Sequence, residues 1–149
     1  MRATARKRAV STLTIERGNP GQWGQEVHVA DVRVLIVDDQ EPFRRAMATV
    51  VEATEGFVVV GMAVTGEESL ASAAALRPDL VLMDVNLPGI DGIEATRRLR
   101  AAADAPVVFL LSTYEEDQFD VAGSGAAAYV AKAAFGPDRL SESWSAAAS

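Results

Sequence analysis

A chain of 149 residues with 49% hydrophobic side chains holds enough material for one domain and a tail. The absence of cysteine excludes disulfides and thiolate metal sites, and no apolar run is long enough to span a membrane. The net charge of −7 is uneven: residues 1–30 carry Arg2, Arg6, Lys7, Arg8 and Arg17 against Glu16 and Glu26, a balance of +3, which leaves −10 for the remainder. An acidic body repels a nucleic-acid backbone, so no direct nucleic-acid binding is expected of it. Residues 1–30 show no sustained apolar period and contain the breaker cluster Asn19-Pro20-Gly21. They read as a disordered extension, without the continuous apolar core of a secretory leader, and the cytoplasm is the expected compartment.

Order is expected from Asp31 to Ser149. Val32–Val37 is a β-branched run that stops at Asp38-Asp39. Glu41-Pro42 suits a helix's first turn, where proline loses no hydrogen bond. Phe43, Met47, Val50 and Val51 then recur at helical spacing, with Arg44, Arg45 and Glu52 predicted to point away. Glu55-Gly56 ends that helix, and Phe57–Val60 is a second strand. Thr65-Gly66-Glu67-Glu68 opens a helix that Arg77-Pro78 closes. Leu80–Met83 is apolar throughout, the pattern of a strand covered on both faces, and it stops at Asp84. Pro88-Gly89 turns the chain into a third helix, about Ile93 to Ala102. Pro106–Leu111 is a fourth strand, ending at Ser112-Thr113. The segment Glu115–Ser124 should be a fourth helix by order but is weakened by Gly123. Ala127–Ala131 is a fifth strand, ending at Lys132. Gly136-Pro137-Asp138 then opens a last helix with Leu140 and Trp144 facing inward. Five alternations of strand and helix imply a parallel α/β sheet covered on both faces, doubly wound and flavodoxin-like, with strand order 2-1-3-4-5.

In that order the first and third strands are neighbours, so Asp38, Asp39 and Asp84 meet at the carboxyl edge of the sheet. Two like charges about 4 Å apart repel by about 4 kcal/mol at an effective dielectric near 20. A divalent cation relieves that repulsion, and hard oxygen ligands favour Mg²⁺ or Mn²⁺. Beside a cation, Asp84 is placed to act as a phosphoryl-accepting nucleophile. Lys132 pairs with the phosphoryl group, and the Ser112 hydroxyl donates to one of its oxygens.

With these motifs in view, the chain from about Val32 to Trp144 resembles a response-regulator receiver domain of two-component signalling. The matching residues are Asp38-Asp39, Asp84 within Met-Asp-Val-Asn-Leu-Pro-Gly-Ile-Asp-Gly, Ser112 in Leu-Leu-Ser-Thr-Tyr, and Lys132 in Tyr-Val-Ala-Lys. The resemblance implies that Asp84 accepts phosphate from a histidine kinase or phosphotransfer protein. It also implies that Asp39, Asp84 and the Asn86 backbone carbonyl bind Mg²⁺ with Asp38 assisting. Ser112 and Tyr129 would form the switch that reports phosphorylation to a face made by the fourth predicted helix, the fifth strand and the last helix. Such a protein is a stoichiometric acceptor, not an enzyme, and its output partner and any homodimer are left open. The wording Leu-Ser-Thr-Tyr-Glu-Glu-Asp is most similar to receivers of regulators with a helix-turn-helix output domain. Alanine at 133 departs from the proline many members carry there, and a chain ending at Ser149 is expected to be a stand-alone receiver or a fragment of a longer regulator.

Three alternatives stand beside this reading. A metal-dependent aspartyl phosphatase needs a second Asp two residues after its nucleophile on the first strand, where this chain has Asp38-Asp39-Gln40. A dinucleotide binder would use Gly123-Ser-Gly125-Ala-Ala-Ala128, but those glycines precede a strand instead of following one. A receiver-like binding module that works without phosphorylation shares the fold and differs only in chemistry.

Overall fold

The computed structural model describes residues 31–113 and 122–148. The extension expected at residues 1–30, and most of the segment Glu115–Ser124, lie outside them. The described elements are β1 (Val32–Val37), α1 (Glu41–Glu52), β2 (Phe57–Ala63), α2 (Gly66–Leu76), β3 (Leu80–Asp84), α3 (Gly92–Arg100), β4 (Val107–Ser112), β5 (Ala128–Ala131) and α4 (Pro137–Ala148), with single 3₁₀ turns at Ala122–Ser124 and Lys132–Ala134. The sheet is parallel throughout and ordered β2-β1-β3-β4-β5, as the alternation of elements predicts.

Strand periodicity sorts the core into two layers. Leu35, Val37, Val81, Met83, Val108 and Leu110 pack with Ala73 of α2 and Ile93, Ala95 and Leu99 of α3. The alternate residues Val34, Ile36, Leu80, Leu82, Phe109 and Leu111 pack with Met47 and Val51 of α1 and Leu140 and Trp144 of α4. A one-residue slip would exchange the two layers, so the apolar pattern pins the register and fixes which strand ends lie side by side.

Local chemistry sets the helix ends. The Thr65 hydroxyl accepts the Glu68 amide at 2.9 Å, and Asp91 accepts the Glu94 amide at 2.8 Å, so each satisfies an N-terminal donor. α2 closes on Arg77, which takes a left-handed conformation (φ 51°) without being glycine. At the amino-terminal end of the sheet, Arg33 and Asp79 interlock. The Arg33 amide donates to the Asp79 carboxylate at 3.0 Å, and the Asp79 amide returns a bond to the Arg33 carbonyl at 2.8 Å. The Arg33 guanidinium caps the carbonyls of Leu76 and Arg77 at the end of α2.

Two sequence expectations need correction. β2 continues three residues beyond Val60, because the register shift between Val34 and Leu35 lets Gly61 pair opposite Leu35 and the ladder resume. Arg44 does not point away from the fold: its guanidinium turns back to the Asp38 carbonyl at 2.9 Å. Of the expected fourth helix, the described part is the 3₁₀ turn Ala122–Ser124.

Candidate phosphoacceptor site

The carboxyl ends of β1, β3, β4 and β5 deliver the site. Val37 pairs with Met83, and Asp84 pairs with Leu111, so the residues that follow β1 and end β3 are adjacent. Side chains alternate along a strand, and Ile36 and Leu82 both face α1 and α4, so Asp38 and Asp84 emerge by the same pleat on that side. Lys132, two residues after Val130, belongs to the same side. Ser112 follows Leu110 by two residues and thus belongs to the α2–α3 layer, against which Tyr129 packs its partly buried side chain. The acids and the lysine therefore share one side of the sheet edge, and the serine and tyrosine share the other.

The geometry on the first side is tight. Asp38, Asp39 and Asp84 each offer a carboxylate oxygen, and these oxygens all lie within 4.8 Å of one another. Asp38 is fully buried and Asp84 nearly so, whereas Asp39 is exposed. The Lys132 ammonium stands 2.8 Å from Asp38 Oδ2 and 3.3 Å from Asp84 Oδ1. A buried carboxylate pair with one cation is under-neutralised, and Asp84 shows it. Burial pushes the Asp84 carboxyl up to about 6, the Asp38 charge adds to the rise, and Lys132 together with the Asn86 amide pulls it back. Three hard carboxylate oxygens at this spacing suit a small divalent cation such as Mg²⁺ or Mn²⁺.

Supporting residues hold the site open at the sheet edge. The Gln40 amide donates to Asp38 Oδ1 at 2.9 Å, which fixes that carboxylate as the chain turns into α1. After Asp84, the loop reverses at Gly89, whose φ of 77° is left-handed, and Glu67 of α2 accepts the Ile90 amide at 3.2 Å. Gly92 then brings the start of α3 against the Asp84 backbone, where its amide bonds the Val85 carbonyl at 2.9 Å.

The structure thus brings Asp38, Asp39, Asp84 and Lys132 together, sets Asn86 two residues after Asp84, and places Ser112 and Tyr129 on neighbouring strands. Ser112 pairs with Ala131, the residue before Lys132. Sequence reasoning missed Phe43, whose ring centroid lies 3.8 Å from the Lys132 ammonium. Its helical spacing marked it as a core residue, and nothing in the local sequence ties it to a lysine far along the chain. The role of Glu67 was hidden for the same reason, since it acts on a backbone amide 23 residues along the chain, whereas Arg44 reaches back only six residues to the Asp38 carbonyl.

The sequence model of the response regulator receiver domain matches residues 34–144. The chain belongs to the response regulator receiver domain family. Among relatives of this receiver, the response regulator GacA of Pseudomonas viridiflava is 46% identical over 106 residues, 69% of this chain and 49% of that protein. A protein-glutamate methylesterase/protein-glutamine glutaminase of Nocardioides sp. is 40% identical over 107 residues, 69% of this chain and 29% of the relative. The receiver therefore spans about half of the first relative and less of the second. In three dimensions it is similar to a two-component response regulator of the LuxR family from Aurantimonas sp., with a TM-score of 0.70 and 30% identity, covering 78% of this chain and 84% of that one. Among the described residues of the receiver, no helix is long and apolar enough to cross a membrane.

Proposed function

We propose that this receiver accepts a phosphoryl group on Asp84 from a histidine kinase or a phosphotransfer protein, with Mg²⁺ or Mn²⁺ as cofactor. The observation that carries this reading is the convergence of three carboxylates within 4.8 Å around a lysine that reaches two of them. Asp38, Asp39 and Asp84 would hold the cation, with the Asn86 carbonyl as a further ligand. Bound there, the cation supplies positive charge for the phosphoryl oxygens.

The chain's own residues do the rest. At neutral pH Asp84 is above its raised pKa of about 6, so its carboxylate is ionised and nucleophilic. One of its oxygens bonds to phosphorus as the donor's phosphorus–nitrogen bond breaks, and that electron pair leaves with the imidazole. Lys132 shifts part of its charge from Asp38 to the new phosphoryl oxygens, and the Ser112 hydroxyl donates to another. Ser112 drawn toward the site vacates room on the α2–α3 side of the sheet, which Tyr129 on the neighbouring strand fills. Such coupling is typically about 1–3 kcal/mol, enough to bias a loop and an interaction face. The reading makes the receiver a stoichiometric acceptor at work in the cytoplasm, passing its state to an output partner or a second copy of itself.

Incubation with a small acyl phosphate and Mg²⁺, followed by intact mass, tests the proposal. One added phosphoryl group is expected on the wild type and none on Asp84→Asn. Ser112→Ala and Tyr129→Ala should still accept it while losing the accompanying change in amide exchange over residues 122–131. A wild type that takes up nothing would instead support a binding module that works without phosphorylation.

A further inference from the structure

We propose that Phe43 is a positioning residue for Lys132, and that its ring holds the ammonium at the acceptor; this rests on Asp84 being the phosphoacceptor. The ammonium lies 3.8 Å from the ring centroid of Phe43, well inside the range in which an aromatic face attracts a cation. The same nitrogen reaches Asp38 at 2.8 Å and Asp84 at 3.3 Å, so two carboxylates and one ring face surround it.

The ring matters because the lysine stem has somewhere else to go. A cavity of about 50 Å³ lies beside it, lined by Phe43, Met47, Val50, Leu111, Lys132 and Phe135. A four-carbon stem with three rotatable donors relaxes into such space, or collapses onto Asp38 alone, unless its head is held. Phe43 is placed for this by helix geometry. It sits one turn before Met47, whose burial anchors α1 to the sheet, so the ring shares one small cavity with Leu111 of β4 and with Lys132 just beyond β5. An aliphatic residue there fills a similar volume but carries no quadrupole to hold a cation.

Phe43→Leu and Phe43→Tyr separate the two roles. In the metal-free protein, the Lys132 ε-methylene proton signals should be shifted upfield by the ring in the wild type and in Phe43→Tyr, and should return to ordinary positions in Phe43→Leu. With saturating Mg²⁺, Phe43→Leu should accept phosphate from a small acyl phosphate about three- to tenfold more slowly, with Phe43→Tyr close to the wild type and the Mg²⁺ affinity of both unchanged. If Phe43→Leu melts too early to assay, Phe43→Met, which is unbranched and fills the same gap, takes its place. Equal uptake by the wild type and Phe43→Leu would overturn the assignment, and so would an equal loss in Phe43→Leu and Phe43→Tyr. Failure of the wild type itself to take up phosphate would overturn the acceptor reading, and this inference with it.

Discussion

A β-carbon built on Gly92 would overlap the backbone carbonyl oxygen of Asp84. The first residue of α3 can therefore only be glycine if the helix is to start where it does, directly against the Asp84 backbone. The Asp-Gly pair that closes the loop joins a helix cap, supplied by Asp91, to this close approach.

Gly92→Ala is expected to destabilise the fold by about 2–3 kcal/mol, because backbone atoms must move to admit the methyl group. That outcome runs against helix propensity, which favours alanine by about 1 kcal/mol. Gly136→Ala is the matching control: nothing lies within 4 Å of its added carbon, and the change should stay within about 0.5 kcal/mol. Urea denaturation of both variants decides the matter, and equal midpoints would show that α3 shifts freely.

The raised pKa of Asp84 gives a pH prediction for metal-free protein. The folded state favours the neutral carboxyl, so this stabilisation is complete below about 4 and is lost as pH rises through about 6. Asp84→Asn is neutral at every pH. It should melt at a higher temperature than the wild type at pH 7.5, and the gap should close as pH falls from about 6 to about 4. A gap of constant size across that range would mean that Asp84 titrates normally. Melting curves in the presence of a chelator provide the measurement.

Mg²⁺ should bind without any phosphoryl group, since repulsion among the three carboxylates exists in the resting fold. At a hundredfold excess over its dissociation constant, the ion should add about 2.7 kcal/mol to stability. Asp39→Asn should weaken that affinity by tenfold or more and leave the metal-free melting temperature unchanged or slightly raised, because the side chain is exposed and one repelling charge is removed. Calorimetric titration that found equal affinities for the two proteins would remove Asp39 from the ligand set.

The strand ends were legible in the sequence because the strands are covered on both faces. Leu80–Met83 has no polar residue until Asp84, so the point where the chain leaves the core is written as a change of residue type. The same contrast marks Asp38, Ser112 and Lys132. Gly61 follows Val60, where the apolar pattern ends the second strand, and glycine usually interrupts a strand. Here it admits the side chain of Leu76, whose Cδ1 would lie 2.6 Å from a β-carbon at that position. Contacts such as Phe43 with Lys132, or Glu67 with the Ile90 amide, join residues far apart in the chain, and no local period encodes them.

The interlock of Arg33 with Asp79 lies at the opposite end of the sheet from Asp84. It ties β1, the close of α2 and the start of β3 together, and the Val107 amide at the head of β4 bonds the Asp79 carbonyl at 3.0 Å. Mechanically the central strands are beams clamped at the root and loaded at the tip. A load at the tip of such a beam cannot make it slide. If Asp84 takes a phosphoryl group as proposed, the work done by the new charge would be delivered to the connections beyond the strand ends, the part of the molecule that a partner can touch.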